Sequence, residues 1–145
     1  MEKISFEILG RPQGKARPRF ARRGKYVTTY TPQKTVDYEE LIRQSYLTQV
    51  GNKTKIDDGE ETVNLSAKII AHFKPNKSES KKRAKLLIES KVRFNKKPDC
   101  DNIAKVVLDA LNGVAFKDDN SITELEVIKF YDEEDKVEVE IKKII

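Results

Sequence analysis

The sequence predicts an α+β fold, a small mixed β-sheet of about four strands with helices on one face, in the order β-α-β-α-α-β-β. Three observations point there. Short segments near both ends alternate apolar and polar residues, the period of a half-buried strand. The stretch from Ile103 to Val114 instead repeats its apolar residues at helical spacing. The length of 145 residues supplies one sizeable core and is too short for two well-built domains, so residues 1–145 read as a single domain.

Ile4, Phe6 and Ile8 alternate with polar neighbours and form a strand ending at Gly10. Gly10 to Lys25 reads as a loop, because its glycines and prolines oppose regular helix; it carries seven Lys or Arg and no acid. Tyr38, Leu41, Ile42, Ser45 and Tyr46 share one face of a helix from about Pro32 to Val50. Thr31 suits its N-cap, Pro32 its first turn and Gly51 the position past its end. After a polar loop, Val63, Leu65, Ala67 and Ile69 alternate in a second strand running to about Phe73, which Pro75 to Ser78 breaks. Ser78 or Ser80 caps a short basic helix with Ala84, Leu87 and Ile88 on its apolar face. A basic loop, Lys91 to Lys97, leads into Pro98-Asp99-Cys100-Asp101-Asn102 and the clearest helix of the chain. There Ile103, Val106, Val107, Ala110, Leu111 and Val114 keep helical spacing until Asn112-Gly113 stops it. Ile122 to Tyr131, with mixed patterning, and the segment around Val137, Val139 and Ile141 are the last strands, joined by a turn from Asp132 to Lys136.

Composition narrows the chemistry. Hydrophobic and charged residues each make up 37%, too much apolar content for a low-hydrophobicity disordered chain. Lys and Arg number 29 against 24 Asp and Glu, a net charge of +5 that suggests a polyanionic partner. A single cysteine, Cys100, excludes an intrachain disulfide framework and a Cys-rich zinc site. A single histidine, His72, excludes multi-His metal sites. No apolar run approaches the roughly 20 residues a membrane span needs. The strand-like N-terminus has no signal-peptide core, so the expected location is the cytoplasm. Catalysis is left to Asp, Glu, Lys, Arg, Tyr or Ser, with a hard, oxygen-liganded metal.

Asp99-Cys100-Asp101-Asn102 opens a helix, Lys105 follows one turn later, and Asp118-Asp119 comes after the helix. Asp101 suits the N-cap, with Asp99 just outside it; both lie at the positive end of the helix dipole, worth about 0.3–1 kcal/mol each. Taken singly, Asp101 reads as a cap and Asp118-Asp119-Asn120 as a turn. Taken jointly, converging carboxylates call for a counter-cation, and oxygen-only ligands favour Mg²⁺ or Mn²⁺. Such an ion supports phosphodiester hydrolysis, and a nearby lysine can neutralise charge developing on the phosphate. Asp109, four residues after Lys105, either orients that lysine or is a solvated helix-face charge. Cys100 reads as a small apolar filler, and His72 as structural or surface. Tyr26 and Tyr30, beside the basic loop, either stack on bases or pack internally.

The blocks Lys97-Pro98-Asp99-Cys100-Asp101-Asn102-Ile103 with Lys105, Leu108-Asp109-Ala110-Leu111-Asn112 and Phe116-Lys117-Asp118-Asp119 resemble the RusA family of Holliday-junction resolvases. Gly10-Arg11-Pro12, Arg17-Pro18-Arg19 and Ser80-Lys81-Lys82 are also similar to that family, so the resemblance covers nearly the whole chain. It implies a Mg²⁺-dependent homodimer, common in phages and prophages, that nicks four-way DNA junctions in recombination and repair with a metal-activated water. Carried over by motif, Asp99 and Asp101 are metal-ligating carboxylates, Asp119 is the third with Asp118 an adjacent candidate, and Lys105 is the catalytic lysine. The bases that grip DNA then fall in the two basic stretches: Arg11, Lys15, Arg17 and Arg19 in the first, Lys81, Lys82, Lys96 and Lys97 in the second. Rival readings are a metal-dependent nuclease acting on flaps or forks, and a nucleic-acid-binding module whose acids merely cap and turn. A nucleotide-sugar enzyme would need a Gly-rich phosphate loop, which the chain lacks.

Overall fold

A computed structural model describes residues 2–52 and 54–145. Its strands are β1 (Lys3–Leu9), β2 (Arg19–Arg23), β3 (Tyr26–Tyr30), β4 (Asn64–Phe73), β5 (Ile122–Tyr131) and β6 (Lys136–Ile144). The helices are α1 (Gln33–Gln49), α2 (Lys81–Glu89) and α3 (Cys100–Leu111). Four strands form one mixed sheet in the order β1-β6-β4-β5. β6 runs antiparallel to both β1 and β4, whereas β4 and β5 are parallel. A parallel pair needs a long crossover, and the segment carrying α2 and α3 provides it.

The period-2 pattern decides which face of this sheet is buried. Ile4, Phe6 and Ile8 of β1, Leu65, Ala67, Ile69, Ala71 and Phe73 of β4, and Val137, Val139 and Ile141 of β6 all point into the core. They pack with Tyr38, Ile42 and Tyr46 of α1 and with Ile103, Val106, Val107, Ala110 and Leu111 of α3. The expected mixed sheet with helices is therefore present. β5 at the sheet edge shows the mixed burial its patterning predicts, and only Tyr131 of it is fully buried.

The structure corrects the sequence reading at several points. The basic stretch is not loop throughout, because β2 and β3 form a separate antiparallel ribbon. Gly24, at φ +60°, supplies the positive φ of its two-residue turn. The N-cap of α1 is Pro32 rather than Thr31, and Leu41 is exposed. Ser80 rather than Ser78 caps α2, its hydroxyl accepting from the Arg83 amide at 3.2 Å. Only Leu87 of that helix is fully buried. α3 begins two residues earlier than expected, so Asp99 is the N-cap and Asp101 lies in the first turn. Cys100, the first residue of α3, is exposed rather than an internal apolar filler, its thiol 3.9 Å from the Val127 carbonyl. His72 is buried on the opposite face of the sheet, its Nδ1 2.8 Å from Asp132, a structural setting.

Candidate active site

Among the described residues, the site is built from three chain segments brought to α3. The first is the loop from Gly10 to Pro18. The Lys15 amide donates to the Asn102 carbonyl at 2.9 Å. Gly14 lies so close to α3 that a Cβ there would sit 2.9 Å from Asn102 Cβ and 3.0 Å from Pro98 Cβ, a contact only glycine permits. Beneath this loop, α1 offers the buried Tyr38, whose hydroxyl lies against the Gln13 backbone. Burial pushes that phenol up to about 12.

The second segment is the run into Asp99. Lys129, on β5, donates from Nζ to the carbonyls of Lys96 at 2.7 Å and Pro98 at 2.8 Å. One ammonium thereby ties down the two residues on either side of Lys97 and delivers the chain to the helix start. Phe94, stacked on Phe73 with ring centroids 3.8 Å apart, anchors the same run in the core.

The third segment carries Asp118 and Asp119. The buried Asp57 carboxylate accepts from the Lys117 amide, with both oxygens 3.1 Å away, and the Ile56 amide donates to the Ala115 carbonyl at 2.9 Å. Asp57 and Lys129 escaped the sequence reading. Each acts through backbone groups far away in sequence, and nothing local signals that.

Loop, helix start and α1 together enclose a groove of about 850 Å³. Six cations line it, namely Arg11, Lys15, Arg17, Arg19, Lys34 and Lys97, against the single carboxylate of Asp99. Five of the eight predicted DNA-binding residues thus meet at one place beside a predicted metal ligand. Lys34 is an addition, and its only signal is that the basic stretch continues into the first turn of α1.

These cations are not equivalent. Arg11 donates from Nη1 to the Lys74 carbonyl at 3.0 Å and to Asp135 at 3.1 Å, with its guanidinium 4.9 Å from the Phe73 ring centre. Lys15 is 2.9 Å from Glu39 and 3.3 Å from Asp109. Its burial pulls the ammonium pKa down, but the two carboxylates outweigh burial and hold it above the ordinary lysine range. Both residues are tied to internal partners. Arg17, Arg19 and Lys97 are exposed. Lys81 and Lys82, on α2, and Lys96 do not line the groove.

Along the outer stripe of α3, Lys105 Nζ lies 3.0 Å from Asp109, which also meets Lys15. Asp109 therefore orients Lys105 and is not simply solvated. Asp119 is raised above the usual carboxylate range by burial first, then by a hydrogen bond shared with Asp118 and by that neighbour's charge. Lys105 opposes the shift and Asp109 adds to it. Asp118, Asp119, Lys105 and Asp109 thus form one electrostatic group around the Asp119 carboxyl. Asp99 faces the groove, and Asp101 is exposed on the first turn of α3. Among the described residues, no three Asp, Glu, His or Cys side chains converge closely enough to hold a metal. The donor chemistry nevertheless fits a hard cation: all four candidates are carboxylates, the hard oxygen donors such an ion prefers.

The family model for endodeoxyribonuclease RusA matches residues 10–142. The chain belongs to the RusA endodeoxyribonuclease family. RusA proteins are Holliday-junction-resolving hydrolases, so the chain is an enzyme of that class, and the mixed sheet with helices on it agrees with a RusA-like fold. It is also 32% identical, over 99% of both chains, to a Bacillus subtilis (strain 168) protein described as uncharacterized protein YqaN. The RusA match takes in every segment that builds the groove and both acidic stretches. No helix among the described residues is long and apolar enough to cross a membrane.

Proposed function

We propose that residues 1–145 act as one divalent-metal-dependent endonuclease domain that resolves four-way DNA junctions by paired, symmetric nicks. The observation that carries this beyond the family is the groove, where six cations converge on Asp99. Lysines and arginines that neutralise phosphates hold nucleic acid largely without reading sequence. Arg17, Arg19, Lys34 and Lys97 do this here, while Arg11 and Lys15 chiefly hold the loop in place.

Asp99, Asp101, Asp118 and Asp119 are the residues that would hold the metal, Mg²⁺ or Mn²⁺. Such an ion supplies a lowered water pKa and charge stabilisation for phosphodiester hydrolysis. Lys105 places its ammonium beside this group and neutralises the charge that grows on the scissile phosphate in the transition state. Asp109 keeps that ammonium aimed outward along the stripe. The protein works as a homodimer, since a junction has two equivalent strands to nick and a two-fold axis sets one acidic site at each.

The test is Asp99→Asn and Asp101→Asn. Both remove a charge and keep the side-chain shape, and asparagine is as good an N-cap as aspartate. Junction binding should persist and nicking should disappear. Wild-type nicking by both variants would sink this assignment.

A further inference from the structure

The β2–β3 ribbon buries almost nothing. Every residue in it except Ala21 is exposed, and it forms a sheet of its own. An isolated two-stranded ribbon is marginal in water, and one that also exposes aromatic rings calls for a partner. Phe20, Tyr26, Val27 and Tyr30 are 75%, 77%, 63% and 49% exposed.

The register sorts these side chains onto two faces. Residues paired across antiparallel strands share a face, and the face alternates along each strand. Arg19 pairs with Tyr30 and Arg23 with Tyr26, the two rungs separated by Ala21 and Thr28. One face therefore carries two Arg–Tyr rungs, about 13 Å apart. The other carries Phe20–Thr29 and Arg22–Val27. Arg19 also lines the groove beside Asp99, so the Arg–Tyr face continues the groove outward.

Charge identifies the occupant. Between Gly10 and Val36 the chain has eight Lys or Arg and no Asp or Glu. Carboxylates pair with Arg11 and Lys15 at the base of this stretch, and among the described residues none pairs with the ribbon's arginines. Unpaired cations interleaved with exposed aromatic rings match a nucleic-acid strand whose bases are accessible. Arginines take the phosphates, and rings stack on base faces that an intact duplex keeps covered.

We infer that the Arg19–Tyr30 and Arg23–Tyr26 face of the ribbon engages unstacked nucleotides at the branch point of the substrate and so sets the preference for branched over linear DNA. This rests on the junction-cleaving reading above and assigns its structure selectivity to a defined surface.

The experiment measures binding of full-length protein, in Ca²⁺ without Mg²⁺, to a labelled four-way junction and to a linear duplex of the same arm sequence. The double variant Tyr26→Ala/Tyr30→Ala should lose about tenfold or more in junction affinity. Its duplex affinity should change less than about twofold, since the phosphate contacts remain. Tyr26→Phe/Tyr30→Phe keeps the rings and should restore the preference. Both variants should melt like wild type, because neither tyrosine is buried. An unchanged junction-to-duplex ratio in the alanine variant would overturn the inference. So would a ratio preserved while sedimentation shows a loss of dimer, which would make the ribbon a contact between copies of the chain. A wild-type protein that neither prefers nor nicks the junction would defeat the underlying reading, a result separable from either of these.

Discussion

Replacing Lys129 with methionine removes one charge at the back of the site and keeps the length of the stem that passes Phe94. The ammonium makes two short hydrogen bonds, 2.7 Å to the Lys96 carbonyl and 2.8 Å to the Pro98 carbonyl. A hydrogen bond from a charged donor contributes about 1.5–3 kcal/mol when both groups leave water. The bond to Lys96 is exposed, so water replaces much of it, while the bond to Pro98 is partly buried. A loss of about 2 kcal/mol in the ordering of Lys96–Asp99 follows. That lowers the ordered fraction of this run by up to about thirtyfold. Single-turnover nicking of a four-way junction should slow by a comparable factor, with the thermal midpoint moving only a few degrees, because the core contacts of β5 persist. Lys129→Met nicking at the wild-type rate would refute the idea that this ammonium holds the Asp99 run in place.

Asp57→Ala leaves the Lys117 amide without its buried acceptor and should cost about 1 kcal/mol, read from urea unfolding; nicking should fall as Asp118 and Asp119 lose their support. Tyr38→Phe should leave neutral-pH stability unchanged or slightly higher, because the buried hydroxyl has no well-formed partner. In the wild type, a phenol at about 12 in the fold and near 10 when unfolded contributes stability present below pH 10 and lost as pH rises towards 12. Comparing melts of the two proteins across that window should show the wild type falling faster. Asp118→Asn should lower the Asp119 carboxyl pKa in metal-free protein, since it removes the neighbouring charge and offers an amide donor; carboxyl NMR titration reads this directly.

The strands and helices that touch the core were legible in the sequence because burial writes a period. β1, β4, β6 and α3 each show it, and most of their interior residues are the ones read from the alternation and the helical spacing. The ribbon was not legible for the same reason. A sheet that buries neither face has no need to alternate apolar with polar residues, and its arginines and glycine read as loop. The helix start was misplaced by two residues, since Asp99 and Asp101 are equally good caps by type and only the backbone path decides between them. The candidate site was drawn from residue types and motif spacing. Which lysines are free was not legible, because Lys15 finds Glu39 and Asp109 only through the fold. The supports, Asp57 and Lys129, bond to backbone groups 60 and up to 33 residues distant, beyond the reach of any local pattern.

One incubation bears most directly on the proposed activity. Wild-type protein is mixed with a synthetic mobile four-way junction, with and without Mg²⁺, and each strand is followed by its own label on a denaturing gel. Nicks at symmetric positions in two opposing strands, present with Mg²⁺ and absent without it, are the expected result. Uncut strands in both lanes, or cuts scattered over all four strands without symmetry, would contradict it.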